Sequence, residues 1–206
     1  MQKTKIGHLG ITNEVKIIQH NGKEITLHRI KALMDFRDIK NGQLGGFVQH
    51  IENIQDLAWI GDEAMLFGNA IISGVSQLKG SSQAFNNAII SGDSEISGNS
   101  RIYDKATING DFWIDGNIEI YGEVNIRGLG IIMGDVKIYE QFTSIGRLII
   151  SGYDEPIEIT GEGNLGNGIY INESFELLNR KTVNSVFKAV NNTIFTQVLI
   201  NKPQLT

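Results

Sequence analysis

Histidine is the residue best suited to act as a general base near neutral pH, and the chain contains four histidines. They are His8, His20, His28 and His50, so all of them lie within the first fifty residues. A site built from several histidines, such as a three-histidine metal centre, would therefore have to form at the N-terminal end. We predict that His50 is solvated or caps a turn, and we predict no metal site.

Carboxylates are the second group that could do acid–base chemistry. Most carboxylates of the repeat described below occupy turn or outward positions, where aspartate serves turn geometry and solubility; they include Asp93, Asp104, Asp111, Asp115 and Asp135.

The chain has no cysteine, which excludes a thiolate nucleophile and a disulfide. We find no phosphate-binding loop, dinucleotide fingerprint or Ser-His-Asp pattern. The sequence predicts no catalytic residue and no cofactor, and it favours a protein that is not an enzyme.

A six-residue repeat fills the middle of the chain, as in IISGVS (71–76), IISGDS (89–94) and EISGNS (95–100). From Ile60 to Ile150, nearly every sixth residue is Ile or Leu. Two residues after each of these comes Gly, Asn or Asp in almost every case, which are the residues that best tolerate a left-handed backbone. The pattern predicts short strands, each with one inward side chain, joined by tight corners.

Three such strands complete a coil of 18 residues, so the repeat predicts a mainly β fold, a single-stranded parallel β-helix of about six coils over residues 47–154. Each buried isoleucine should stabilise the stack by about 1.5–3 kcal/mol before entropy is deducted. The position after the corner is small in the first coils and enlarges from Phe112 onward. We therefore expect the core to widen or change shape toward its C-terminal half.

The segments on either side of the repeat resemble caps, which a β-helix needs because its terminal strands are otherwise unpaired. Residues 1–46 contain two strand-like runs around Asn21-Gly22, a strong hairpin signal. After Pro156 the six-residue register is lost, and residues 155–206 predict a small α+β unit. In this unit we expect strands near 168–171, 175–178 and 193–200, and a helix that begins near Thr182 and carries Val186, Phe187 and Val190.

One face of the predicted β-helix is aromatic. The outward residue after each inward one, taken every 18 residues, is Phe67, Phe85, Tyr103, Tyr121 and Tyr139. Three interpretations stay open: a ladder that stabilises the helix itself or is buried by a flanking segment, a contact between copies of the chain, or a binding surface for another partner. A second strip, made of Trp113, Ile131, Ile149 and Met133, predicts either packing beneath the C-terminal unit or a subunit interface.

Composition limits the possible partners and locations. Net charge is −5, and most of the acidic excess lies between residues 59 and 154, so the chain lacks the basic stripe of nucleic-acid-binding proteins. No signal peptide or apolar run long enough for a membrane span is apparent. We expect a cytoplasmic protein without a membrane or direct nucleic-acid partner, which binds another protein or itself as a homo-oligomer.

The six-residue repeat resembles the hexapeptide-repeat superfamily, whose members form left-handed β-helices and are best known as acyltransferases, usually trimeric. The resemblance implies a left-handed winding. Enzymes of this superfamily use a histidine on the coils, and the related γ-carbonic anhydrases use three on a metal. This chain has none after His50.

A closer resemblance covers residues 26–64. The run from His28 to Leu33, the Gly45-Gly46-Phe47 segment and Ala58-Trp59-Ile60 are similar to the opening of uncharacterised YdcK-like proteins of bacteria and phages. That family implies no catalytic residues.

These observations lead to three hypotheses about function. The first is a non-catalytic β-helical interaction module, in its most specific form a phage-encoded counter-defence inhibitor of a host protein. The second is a divergent acyltransferase, with a pocket between subunits that contains His50 or a residue of the caps. The third is a carbohydrate or nucleotide binder that uses the aromatic strip.

Overall fold

The chain is a β-solenoid of about 6 turns, in which coils stack as parallel strands. The computed structural model describes residues 4–144, 146–153, 156–165, 169–171 and 175–183. This fold confirms the mainly β solenoid predicted from the repeat, whereas the hand of the winding stays a prediction. Within the described segments, no helix has the length and apolar character needed to span a membrane.

The N-terminal part forms a long hairpin that leads into the solenoid. Its elements are β1 (Lys5–Ile6), β2 (Leu9–His20), β3 (Lys23–Ala32), β4 (Leu44–Val48) and a short 3-10 helix (Ile51–Asn53). Strands β2 and β3 pair antiparallel across Asn21 and Gly22, both in the left-handed region with φ of 50° and 72°. The predicted hairpin is therefore confirmed. Strand β4 pairs antiparallel with β3 and parallel with a later strand, so it joins the hairpin to the coils.

The remaining strands are those of the coils. In order they are β5 (Trp59–Ile60), β6 (Met65–Leu66), β7 (Ile71–Ile72), β8 (Gln77–Leu78), β9 (Gln83–Ala84), β10 (Ile89–Gly92), β11 (Glu95–Ile96), β12 (Arg101–Ile102), β13 (Thr107–Gly110), β14 (Trp113–Ile120), β15 (Asn125–Arg127), β16 (Ile132–Ile138), β17 (Gln141–Ser144), β18 (Leu148–Ile150), β19 (Ile157–Leu165), β20 (Ile169–Ile171) and β21 (Phe175–Val183).

Inward isoleucines stack one above another, as the 18-residue coil requires. Ile90 pairs with Ile72 below and Ile108 above, and Ile108 pairs with Ile126; all four side chains are buried. Two further columns complete the core. We name each face by the buried column behind it. The first face covers the column from Ile72 to Ile126, the second covers the column from Leu78 to Ile132, and the third covers the column from Leu66 to Ile138.

Tight corners separate the faces. At Gly98, φ is +70° and an added Cβ would lie only 2.5 Å from the carbonyl oxygen of Gly116 in the next coil. Only glycine fits such a position, because any side chain would collide with backbone that cannot move aside. Asn86 and Asp104 occupy another corner with φ of 59° each, a conformation these short polar residues tolerate.

The cross-section of the coil changes near residue 113. Before it, the corner between the second and third faces holds the small buried residues Ser82 and Ser100, and the flanking strands are two residues long. After it, Ile118 and Val136 fill the same position, and β14 and β16 run through the corner as continuous strands. Larger inward side chains therefore flatten this corner, in agreement with the predicted change in shape.

The parallel stacking continues beyond residue 154, where we predicted a cap. Ile138 pairs with Ile159 and Ser144 with Leu165, a spacing of 21 rather than 18 residues. Because the Asp135 N–H still donates to the carbonyl of Gly152, 3.1 Å away, the three extra residues lie between Gly152 and Ile157. The insertion lengthens one corner and leaves the strands in phase.

The strands predicted near 168–171 and 175–178 are confirmed as β20 and β21, but they belong to the solenoid and not to a separate α+β unit. Strand β20 pairs parallel with β18, and β21 pairs parallel with β19, so both extend the solenoid. Thr182, which we predicted to begin a helix, lies within β21. The remainder of that prediction, including Val186, Phe187, Val190 and the strand at 193–200, lies outside the described residues.

Candidate interaction surface

Five aromatic rings on the third face form a continuous stack, which we call the aromatic ladder. Neighbouring ring centroids are 4.9, 4.8, 4.7 and 5.1 Å apart, and neighbouring planes differ by only 3–4°. The ladder members, one per coil, are Phe67, Phe85, Tyr103, Tyr121 and Tyr139. Parallel pairing of the coils sets this spacing, because it places the same repeat position of each coil directly above the last.

Stacking decides which parts of the rings can contact another molecule. A sugar or a nucleobase binds an aromatic side chain through a free ring face. In the ladder, each internal ring has both faces against its neighbours, so the edges and the tyrosine hydroxyls form the outward surface. This geometry favours contact with the packed side chains of a protein over stacking with a sugar or base.

The N-terminal hairpin covers the first two rings of the ladder. Phe67 and Phe85 are each only 2% exposed, and the His20 imidazole lies edge-on to both, with centroids 5.1 Å away. Leu27 is buried with these two phenylalanines in one hydrophobic cluster, and Ile18 and Ile25 pack against that cluster. Of the alternatives left open by the sequence, burial by a flanking segment thus describes these two phenylalanines.

Ion pairs at its margin fix the hairpin to the coil. Glu63 accepts from Lys16 at 2.6 Å and from Arg29 at 2.7 Å, and both cations lie over the ring of Phe47 at 4.5 and 4.3 Å. Hydrogen bonds from Lys16 and Arg29 hold the pKa of Glu63 below its ordinary value. The carboxylate therefore stays ionised, and the hairpin stays tied, through the neutral range.

The last three rings extend beyond the hairpin, and we call them the open half of the ladder. Tyr103, Tyr121 and Tyr139 are partly exposed. Beside them runs a charged row of Arg101, Glu119, Lys137 and Glu158, one per coil with alternating sign. Arg101 pairs with Glu119 at 3.1 Å, and Tyr139 donates a 2.8 Å hydrogen bond to Glu158.

Cations of the charged row also contact the rings. The Arg101 guanidinium lies 5.4 Å from the ring centroids of both Phe85 and Tyr103, and the Lys137 ammonium lies 5.6 and 5.2 Å from those of Tyr121 and Tyr139. Burial, followed by the nearby Glu119 carboxylate, raises the pKa of Tyr103 to about 12. The Tyr103 hydroxyl is therefore neutral at ordinary pH and can donate a hydrogen bond.

The second strip lies on the second face. Trp113 is largely exposed, while Ile131, Met133 and Ile149 are partly exposed. Ile131 adopts φ of 72°, an unusual conformation for a β-branched residue. Leu129 is exposed at the same corner and was not predicted to belong to this strip. Its position between Gly128 and Gly130 is the signal in the sequence that indicates an outward corner.

The histidines are dispersed across the N-terminal part. His8 packs against Phe36 with centroids 4.2 Å apart, and burial lowers its pKa. His28 is partly buried on β3. His50 precedes the 3-10 helix, and its side chain makes no capping hydrogen bond. In the part of the chain that the structure describes, no cluster of three or more His, Asp or Glu residues could hold a metal ion.

No family model matches the chain, and no curated protein matches it either.

Proposed function

We propose that this chain is a non-catalytic protein-interaction module and that a protein partner binds the open half of the aromatic ladder together with the charged row. One observation carries the proposal: the hairpin already covers the first two rings of the same ladder, and the ladder continues for three more rings beyond it. The chain itself thus provides an example of how a protein segment packs on this surface.

The hairpin indicates what kind of segment fits. It places Ile18, Ile25, Leu27 and an aromatic ring against the ladder, and Lys16 at the margin. We expect the partner to present a β-strand or hairpin with aliphatic and aromatic side chains toward the tyrosines. The alternating charges of Arg101, Glu119, Lys137 and Glu158 require opposite charges in the partner at the spacing of the coils, which favours a specific protein over a generally charged polymer.

Rigidity supports strong binding by a small surface. Each ring of the open half is packed against its neighbours, so little side-chain freedom is lost when a partner covers it. Tyrosine and arginine are also the residues that most often dominate binding energy at protein interfaces. A phage-encoded inhibitor of a host defence protein is the specific form of this proposal that the resemblance of residues 26–64 and the acidic coils favour.

Site-specific photo-crosslinking in the cells that naturally produce the protein tests the proposal. A photoreactive amino acid replaces Glu119 in the charged row, and a matched control replaces Asn109, which is exposed on the first face. We expect a discrete adduct from position 119, little from 109, and loss of the adduct in the Tyr103→Ala/Tyr121→Ala double variant.

Competition supplies the specificity control. Unlabelled wild-type protein added before irradiation should reduce formation of the adduct, whereas the double variant, shown to be folded by circular dichroism, should not. Equal adducts from positions 119 and 109, or an adduct insensitive to the double substitution, would contradict the proposal. Saturable acyl-CoA binding in calorimetry would instead support the acyltransferase alternative.

A further inference from the structure

We infer that two copies of this chain associate through the outer edge of β2, as antiparallel strands in which Ile17 of one copy faces Ile17 of the second copy. This inference concerns the hairpin and is independent of the open half of the ladder. Each can therefore fail without the other.

The outer edge of β2 carries main-chain groups that no other described strand uses. Strand β1 pairs only with Leu9 and Gly10, and the Ile11 N–H donates to Thr4 at 2.9 Å. From Thr12 to His20, the described part of the chain contributes no strand to this edge. An exposed strand edge of this length is a template for pairing with another chain.

The hairpin turn determines which groups point outward. Because a two-residue turn joins His20 to Lys23, these two residues form a hydrogen-bonded pair, and bonded pairs alternate along an antiparallel ladder. The N–H and C=O groups of Val15, Ile17 and Gln19 consequently point away from β3. They form a regular set of donors and acceptors for a second strand.

The side chains at this edge are apolar and exposed. Val15 is 48% exposed and Ile17 is 57% exposed, and both are β-branched residues that favour sheets. Natural edge strands are usually protected by charges. Here the charged neighbours are engaged elsewhere, because Glu14 forms an ion pair with Arg29 and Lys16 forms one with Glu63. They therefore leave the edge unprotected.

Charge and regularity select the register. With Ile17 facing Ile17, each Val15 faces Gln19 of the second copy, and Lys16 faces Ile18. A shift by one residue toward the N-terminus would place Lys16 directly opposite Lys16 of the second copy, which is unfavourable. It would also include the irregular segment before Val15, where β2 and β3 lose register. A shift by one residue toward the turn would place Val15 opposite Asn21, which lies in the turn and does not continue the strand.

The resulting contact is two-fold symmetric and closed. Each copy presents the same β2 edge to the other, so the two β2 edges are satisfied at once and neither stays open to a third copy. A second copy is thus the occupant that the self-complementary pattern of this strand fits.

Solution mass across a range of concentrations tests the inference on the full chain. We expect the wild type to dimerise reversibly in sedimentation equilibrium, and Ile17→Lys to weaken dimerisation by at least about tenfold. The matched control is Thr26→Lys, because Thr26 pairs with Ile17 inside the hairpin, is exposed on the same face and lies off the outer edge. Thr26→Lys should dimerise like the wild type.

Cysteine substitution tests the register, since the natural chain has no cysteine. Facing residues in a bonded antiparallel pair have Cα atoms about 5.5 Å apart, within the range of a disulfide. Ile17→Cys should therefore form a covalent dimer on mild oxidation, and Gln19→Cys should not. A wild type that stays monomeric, an Ile17→Lys variant that dimerises normally, or equal crosslinking of the two cysteine variants would overturn the inference.

Discussion

Trp59 and Trp113 occupy the same position of the repeat on the second face, three coils apart, yet Trp59 is 2% exposed and Trp113 is 52% exposed. The difference comes from the N-terminal segment, which places Phe36 against Trp59 with ring centroids 5.9 Å apart. The same segment, through the hairpin, covers Phe67 and Phe85 on the third face. The first coils are therefore covered on two faces, and the later coils present equivalent residues to solvent.

This contrast predicts effects of very different size for two tryptophan substitutions. Trp59→Ala removes a buried ring and should lower the free energy of unfolding by about 3–5 kcal/mol. Trp113→Ala removes a largely exposed ring and should change it by no more than about 0.5 kcal/mol in dilute monomeric protein. Chemical denaturation measures both values.

Fluorescence provides an independent check, because these are the two tryptophans of the chain. The Trp113→Phe variant should emit at short wavelength and resist quenching by acrylamide, whereas Trp59→Phe should emit at longer wavelength and be readily quenched. Equal quenching of the two variants would contradict the assigned burial.

Glycine substitutions should have different effects on stability at a corner that packs against the next coil and at an open turn. Gly98→Ala combines a left-handed backbone with a Cβ placed 2.5 Å from the Gly116 oxygen, so we expect a loss of at least about 3 kcal/mol. The control is Gly42→Ala, where φ is +82° but no atom lies within 4 Å of the added Cβ. That change should cost only about 1 kcal/mol in thermal or chemical unfolding.

The raised pKa of Tyr103 predicts a stability change at high pH. Burial favours the neutral hydroxyl in the folded state, with a pKa of about 12 against an ordinary value of 10.0. The unfolded chain releases this proton first, so the contribution is complete below pH 10 and is lost as pH rises from 10 to about 12.

Tyrosinate absorbance measured during a pH titration tests this assignment. The component that titrates near 12 should disappear in Tyr103→Phe and persist in Tyr153→Phe, which alters an exposed tyrosine. Unfolding free energy should also fall less steeply above pH 10 in Tyr103→Phe than in the wild type. Retention of the high component in Tyr103→Phe would refute the assignment.

Continuation of the solenoid beyond residue 154 predicts a stability effect at Ile159. Its side chain is buried and its backbone pairs with Ile138, so Ile159→Ala should lower the free energy of unfolding by about 2–5 kcal/mol in the main transition. Tyr153→Ala, within the inserted corner and exposed, is the control and should have little effect. A separate early transition for Ile159→Ala would instead indicate an independent C-terminal unit.

Much of the fold could be predicted because the repeat is local and regular. An isoleucine every sixth residue, followed by glycine, determines strand, corner and inward side chain together, and the columns through Ile90 and Ile108 lie as predicted. The alignment of the aromatic ladder follows from the same arithmetic.

Other features depend on contacts distant in sequence. Asn21-Gly22 predicts a hairpin, but no local signal places His20 against Phe67 and Phe85, or Phe36 against Trp59. The His20 contacts form where the hairpin, joined through β4 to the sheet of the third face, lies over the ladder, and the Phe36 contact comes from the segment between β3 and β4. The sequence therefore allows burial of Phe67 and Phe85 as one of several alternatives, but it does not favour burial over the others.

The predicted end of the solenoid at residue 154 shows a different limit. The six-residue phase counted from Ile60 ends there, because three extra residues before Ile157 shift it. Counting by six from Ile159 gives Leu165, Ile171, Leu177 and Val183, so apolar residues recur in the shifted frame. A register shift between β19 and β21 places Phe175 rather than Leu177 opposite Ile159. The backbone of all these residues lies in paired strands.

The inserted corner between Gly152 and Ile157 also bears on how such a chain can vary over generations. A single residue added within a strand would turn every apolar side chain after it toward water, whereas residues added at a bend bulge outward and leave the interior unaltered. Insertions and deletions should thus accumulate at bends, where they change the outline of the molecule. New loops can arise there while the inherited interior stays intact.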